Sequence, residues 1–186
     1  MLFKGRRERE ELDLLAVEIV PLDGTISVNS FDCGAPPLNK FLKNRAKKVT
    51  RRFESSVFCA VIGTQKRCIG YYALQVGSDT LPPGNKRKRQ DFSKEYIAFP
   101  AITLQWLAVD ERVQGQGLGK YLLMNIFERL AEIAKQVGFY ALTLQSYDER
   151  STRFYRGLDF EEYSEGGTHP KMLYPLQRII KLVEER

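Results

Sequence analysis

Two periods of apolar residues divide the chain. Apolar residues crowd positions 15–22, which predicts a short strand ending at Pro21. Positions 31–37 read Phe-Asp-Cys-Gly-Ala-Pro-Pro, turn chemistry that leads into a helix whose first turn tolerates proline. Leu38, Phe41, Leu42, Ala46 and Val49 then recur at helical spacing, with the stem of Arg45 expected to border the apolar stripe. The runs 56–62 and 68–76 are β-branched and aromatic, and Gly63-Thr64-Gln65-Lys66-Arg67 between them predicts an antiparallel hairpin. Residues 77–95, rich in Pro, Gly and charge, read as a loop, and 97–109 holds the next strand, best placed at 103–109. A long helix is expected from 117 to 137, with Leu118, Tyr121, Leu122, Ile126, Leu130 and Ile133 inward and Gly138 as its C-cap. There follow a strand at 141–146, a short helix capped by Asp148 and running to 156, a strand at 171–174, and an amphipathic helix at 176–185 carrying Ile179, Ile180 and Val183. Strands that alternate with helices after a hairpin predict an α/β or α+β fold built on one sheet.

At 186 residues the chain is expected to form one domain, 1–186, with residues 1–14 as a flexible lead and a C-terminal helix at 176–186. A 43% apolar and 11% aromatic content excludes a disordered chain. No apolar run is long enough to span a bilayer, and the first residues lack the apolar stretch of a signal peptide, so a cytoplasmic protein with no membrane partner is expected. Cys33, Cys59 and Cys68 form no C-x-x-C pair, and His169 is the single histidine. Reduced thiols and no metal are therefore expected.

Charge changes the picture more. The formal net charge is +6, and much of the excess is concentrated in two places. Lys40, Lys43, Lys47, Lys48, Arg51 and Arg52 share the polar face of the first helix, and no acidic residue interrupts positions 40–52. Lys86, Arg87, Lys88 and Arg89 form a second cluster in the predicted loop. A solvated helix face usually mixes signs, so a one-signed face points to a polyanion such as nucleic acid, with a plain solvated basic face as the alternative.

The most specific chemistry lies in the strand–turn–helix segment LAVDERVQGQGLGK, residues 107–120. Glycines let the backbone approach a ligand, and free amides at a helix N-terminus favour an anion such as pyrophosphate. A Walker A loop is excluded, because Gln114 stands at its first glycine and Tyr121 follows Lys120. The dinucleotide pattern G-x-G-x-x-G fails at Lys120, whereas Q-x-x-G-x-G fits Gln114, Gly117 and Gly119. This segment resembles the acyl-CoA loop of the GNAT N-acetyltransferases. A second resemblance lies in Asp148, Ser151, Phe154, Tyr155 and Phe160, with Asp159 where the family carries glycine. Aspartate tolerates the left-handed backbone that such a glycine serves.

The resemblance implies a mixed, largely antiparallel sheet flanked by helices, with acetyl-CoA as cosubstrate. Its pyrophosphate would lie on the amides of Gln114, Gly115, Gln116, Gly117, Leu118, Gly119 and Lys120, and its pantetheine along Leu107, Ala108 and Val109. Asp148 is grouped with these cofactor-side residues, and a backbone N–H near Leu107 or Val109 would polarise the thioester carbonyl. Tyr155 matches the general acid that protonates the departing thiolate, and its usual pKa near 10 keeps its proton at pH 7. Glu111, Asp110 and Asp148 are the candidate bases. The segments 31–48, 69–78, 100–119 and 171–179 are most similar to the toxin acetyltransferases of toxin–antitoxin pairs. That subgroup implies acetylation of the α-amine of aminoacyl-tRNA, a cognate antitoxin partner and a homodimer, with tRNA phosphates on the two basic clusters. A GNAT enzyme for a small or protein amine, and a non-catalytic CoA-binding module, are the alternatives.

Overall fold

In a computed structural model the described residues are 8–81, 98–163 and 167–186. The strands are β1 (Glu18–Pro21), β2 (Ser56–Ile62), β3 (Arg67–Thr80), β4 (Ala98–Val109), β5 (Ala141–Gln145), β6 (Glu161–Glu162) and β7 (Lys171–Pro175). The helices are α1 (Pro36–Asn44), α2 (Ala46–Arg51), α3 (Leu118–Ala134), α4 (Glu149–Arg156) and α5 (Leu176–Glu184). The strands hydrogen-bond in the order β1-β2-β3-β4-β5-β7-β6. β1 is antiparallel to β2 and β7 to both β5 and β6, while β4 and β5 run parallel. This is the mixed, largely antiparallel α/β sheet that the sequence leads one to expect. Among the described residues no helix is long and apolar enough to cross a membrane.

The chain divides into two compact units, Met1–Ala73 with Trp106–Asn125, and Leu74–Gln105 with Ile126–Arg186. In the first, α1 buries Leu38, Phe41 and Leu42. Phe41 stacks on Trp106 at 4.9 Å, and the Tyr71 hydroxyl donates to the Leu38 carbonyl at 2.8 Å. Gly70 of β3 is a point of close approach: a Cβ there would meet Leu122 at 3.1 Å and Leu118 and the Ala108 carbonyl at 3.3 Å. The absence of a side chain at Gly70 thus lets the first turns of α3 settle against the strands. In the second unit Phe99, Ala101, Ala141, Tyr163 and Leu173 form a core, and Thr103 and Thr143 hydrogen-bond across β4 and β5 at 3.1 Å.

Several expectations need correction. The strand expected at 15–22 begins only at Glu18, because Leu14–Ala16 form a 3-10 turn. The Asp13 carboxylate caps that turn through the Leu15 amide at 2.9 Å, and the Leu15 side chain is 97% exposed. The first helix splits at Arg45, whose ψ of −35° accompanies a φ of −119°, and Arg45 is exposed rather than lining the stripe. The long helix stops at Ala134, because Lys135 and Gln136 turn back onto carbonyls three residues earlier, the tighter geometry of a frayed end. Gly138 therefore caps nothing, and Tyr121 and Ile133 lie at the rim, 37% and 36% exposed. β3 and β4 run longer than their apolar stretches, and β6 has no apolar signal at all.

Candidate active site

The turn after β4 is built around a buried carboxylate. Asp110 is fully buried and accepts Nε and Nη2 of Arg112, each at 2.8 Å, and the amides of Arg112 and Asp32 at 3.1 Å. Burial alone would push this carboxyl up, but the Arg112 guanidinium and the two amides outweigh it and hold it below the usual carboxylate range. Glu10 extends the network, with an oxygen 3.3 Å from Arg112 and an ion pair to Arg67. Replacing Asp110 by alanine leaves the amides of Asp32 and Arg112 without their acceptor and takes from the mostly buried guanidinium its two shortest bonds, leaving it Glu10 and the Ser30 carbonyl, at an expected cost of about 3 kcal/mol. Because the folded pKa of Asp110 is depressed, its contribution is complete above the unfolded value near 3.9 and is lost as pH falls through the folded pKa. Denaturant unfolding against pH should show Asp110→Ala losing stability at pH 7 and losing part of the acid limb below about pH 4.

The Asp110 network fixes a loop whose own amides are free. Gly115 and Gly117 adopt φ of 79° and 88°, which a side chain would strain, while Gly119 sits in the first turn of α3. Among the described residues, the amides of 114–120 donate to no protein acceptor, and the first helical bond runs from Tyr121 to the Gly117 carbonyl at 3.0 Å. Consecutive free amides at a helix N-terminus suit a pyrophosphate. The loop side chains do other work. Gln114 Nε2 donates to the carbonyls of Val109 at 2.9 Å and Cys33 at 3.1 Å, closing the loop on itself. Gln116 donates to the Glu10 carbonyl at 2.7 Å and accepts the Leu12 amide at 2.9 Å, docking the segment 8–12. Neither role shows in the motif; only the backbone trace brings residues so distant in sequence together. The first helical turn also carries the exposed Lys120 and the buried Leu118.

Leu107, Ala108 and Val109 form the end of β4. The β4–β5 ladder ends at Leu104↔Leu144, so the last residues of β4 pair beyond that point only on the β3 side, where Asp110 donates to the Ile69 carbonyl at 2.9 Å. A ligand arm can therefore add to the open edge of β4.

In the second unit, Asp148 caps α4. It accepts the Ser151 amide at 2.7 Å, and this bond chiefly holds its carboxyl below the usual range. The Ser151 hydroxyl accepts the Asp148 amide at 2.9 Å, which completes a capping box. Asp110 and Asp148, both depressed and both occupied, are poor general bases. Tyr155 packs edge-on against Phe154 and Phe160, each ring 5.2 Å away, and burial pushes its hydroxyl pKa up. The Tyr155 side chain is thus buried, with a hydroxyl that no protein group among the described residues engages. α4 ends at Arg156 with Gly157 as its C-cap, and Asp159 in the turn that follows adopts a φ of 62°, the left-handed position expected of it.

Lys40, Lys43, Lys47, Lys48 and Arg51 on α1 and α2, and Arg52 at the C-cap of α2, are all exposed. Among the described residues only Arg52 of these six has an acidic partner, Glu54 at 3.7 Å. Lys86, Arg87, Lys88 and Arg89 lie outside the described residues. The cysteines are free thiols, and among the described residues no three His, Cys, Asp or Glu side chains gather as metal ligands.

A strand, a glycine-turned loop of free amides and a long helix form a geometry that suits a phosphate-bearing cosubstrate. The model of the acetyltransferase (GNAT) family matches residues 30–160, and the chain belongs to that family. It is therefore an acetyl-CoA-dependent N-acetyltransferase by family and fold. The chain is 32% identical over 134 residues to a tRNA-acetylating toxin of Mycobacterium tuberculosis, covering 72% of this chain and 78% of that one. It is 28% identical over 163 residues to a probable toxin TacT of Sinorhizobium fredii, covering 84% and 86%. Among solved structures it resembles a tyrosine-to-phenylalanine variant of KacT, with TM-score 0.82, 27% identity and coverage of 90% and 99%.

Proposed function

We propose that this acetyltransferase is a toxin that acetylates the α-amine of aminoacyl-tRNA and so blocks translation. The observation that carries the reading is the exposed, nearly unneutralised cation face of α1 and α2, which the cosubstrate does not account for. The relatives named for tRNA acetylation and for toxicity support it.

The amides of 114–120 hold the pyrophosphate, and the open edge of β4 at Leu107–Val109 takes the pantetheine, with a strand amide there polarising the thioester carbonyl. The α-amine attacks that carbonyl carbon: the C–N bond forms, the C–S bond breaks, and Tyr155 gives its proton to the departing sulfur. The proton released from nitrogen passes to water, and a proton from solvent returns to the Tyr155 oxygen, so no net proton is gained or lost. An α-amine, with pKa near 7.7–8.0, supplies its free-base form without a protein base, unlike a lysine amine near 10.4. That fits a site whose Asp110 and Asp148 are already engaged. Asp148 acts through its cap on α4 rather than on the cosubstrate. A cytoplasmic location, a cognate antitoxin and a homodimer belong to the same reading.

The test is radiolabelled acetyl transfer to aminoacylated tRNA, to a polyamine and to ribosomal protein. Label should appear on the amino acid esterified to tRNA and resist exchange with uncharged tRNA. Transfer to the polyamine or protein, with none to charged tRNA, overturns the reading.

A further inference from the structure

The end of α2 carries a residue that acetyl transfer does not explain. Arg52 leaves the helix at φ −93° and ψ 1°, and Phe53 then adopts a φ of 57°. The Phe53 amide donates to the Thr50 carbonyl at 3.1 Å and the Glu54 amide to Val49 at 3.0 Å. Phe53 thus closes the helix from a left-handed position that glycine or asparagine ordinarily fills. A bulky side chain is strained there. Its ring is also 96% exposed, and among the described residues it makes no ring contact. Phe31, Phe41 and Phe99, by contrast, are all buried. Phe53 therefore carries both strain and exposed apolar surface that packing does not offset.

Its neighbours suggest what does. Lys47, Lys48 and Arg51 are exposed and, among the described residues, form no ion pair. Arg52 meets Glu54 across 3.7 Å with both side chains more than half exposed, a contact that neutralises little. A protein partner seeking Phe53 would be expected to find other apolar residues beside it. Here its exposed chain neighbours are Arg51, Arg52 and Glu54, with Lys47 and Lys48 one turn earlier on α2. An aromatic face beside a predominantly basic surface, with Glu54 as the one acid next to it, is the chemistry of single-stranded nucleic acid recognition, with phosphates on the cations and a base on the ring.

We propose that Phe53 is a stacking platform that holds an unpaired base of the bound RNA against the basic face of α1 and α2. This rests on the tRNA reading above. Stacking of this kind is worth roughly 1–3 kcal/mol per base, which corresponds to about a 5- to 150-fold change in affinity.

The experiment measures the Kd for aminoacylated tRNA directly, and the KM in acetyl transfer, for the wild type, Phe53→Gly, Phe53→Leu and Phe53→Trp. Phe53→Gly removes the ring together with the strain, so its unfolding temperature should hold or rise while Kd and KM for tRNA increase about 5- to 150-fold. Phe53→Trp should bind as well as the wild type, and Phe53→Leu should resemble Phe53→Gly. The salt slope should not change, since no charge is removed. An unchanged Kd in Phe53→Gly, or full binding by Phe53→Leu, overturns the proposal. So does an unchanged Kd with loss of antitoxin binding or self-association, which would assign the ring to a protein contact. If tRNA binds and weakens as expected but receives no acetyl group, the acceptor reading fails while the platform stands.

Discussion

Tyr155→Phe should lower kcat by about 10²- to 10⁴-fold, the usual worth of a positioned acid, while the protein stays folded. The substitution removes one oxygen and leaves the ring that packs on Phe154 and Phe160. Because the hydroxyl has no protein partner among the described residues, its loss orphans no buried group. Unfolding by denaturant should therefore barely move, which separates a chemical loss from a structural one. The pH profile gives a second check. An acid must be protonated to work, and burial raises the Tyr155 pKa above its ordinary value near 10. Loss of the Tyr155 proton should thus leave no alkaline limb below about pH 10, and a limb near pH 8 would report the acceptor amine instead. A kcat within twofold of the wild type at saturating acetyl-CoA would remove Tyr155 from the role.

The strand–loop–helix around Gly115 and Gly117 was legible because glycine there answers a backbone demand, and the structure shows that demand as two positive φ angles. Asp159 was legible for the same reason: aspartate is one of the few residues that accept a left-handed turn. What a one-dimensional pattern misses is the use of side chains across distance. Gln114 matches the loop motif, yet its side chain reaches the Cys33 carbonyl, a contact spanning 81 positions. Gln116 and Glu10 likewise meet only because the N-terminal segment lies along the loop. Helical periodicity also runs straight through Arg45, since a single residue at φ −119° leaves the apolar spacing almost intact. Phe53 is the converse case: sequence alone makes it one more aromatic, and only its exposure and left-handed backbone set it apart.

Neutralising the basic face should separate RNA binding from acetyl-CoA binding. The quadruple variant Lys43→Gln, Lys47→Gln, Lys48→Gln and Arg51→Gln keeps good helix formers on α1 and α2, so far-UV circular dichroism should be preserved. All four side chains are exposed, and among the described residues none has an ion-pair partner, so their removal breaks no contact within the protein. Each phosphate contact releases a counterion and adds roughly 0.7–0.9 to the slope of log K against log salt. If all four meet phosphate, the slope should shrink by about 3, and affinity for charged tRNA near 0.15 M salt should fall on the order of 10²- to 10³-fold. The amides of 114–120 and the contacts that hold their loop are untouched, so the Kd for acetyl-CoA should stay within about twofold. Isothermal titration with each ligand at three salt concentrations reads both quantities. A tRNA affinity and slope equal to the wild type would mean that the cations of α1 and α2 are only a solvated face. Equal losses for both ligands would mean that the variant has damaged the fold. Only selective loss of tRNA, with a shallower salt slope, fits a surface whose charge serves a second polyanion.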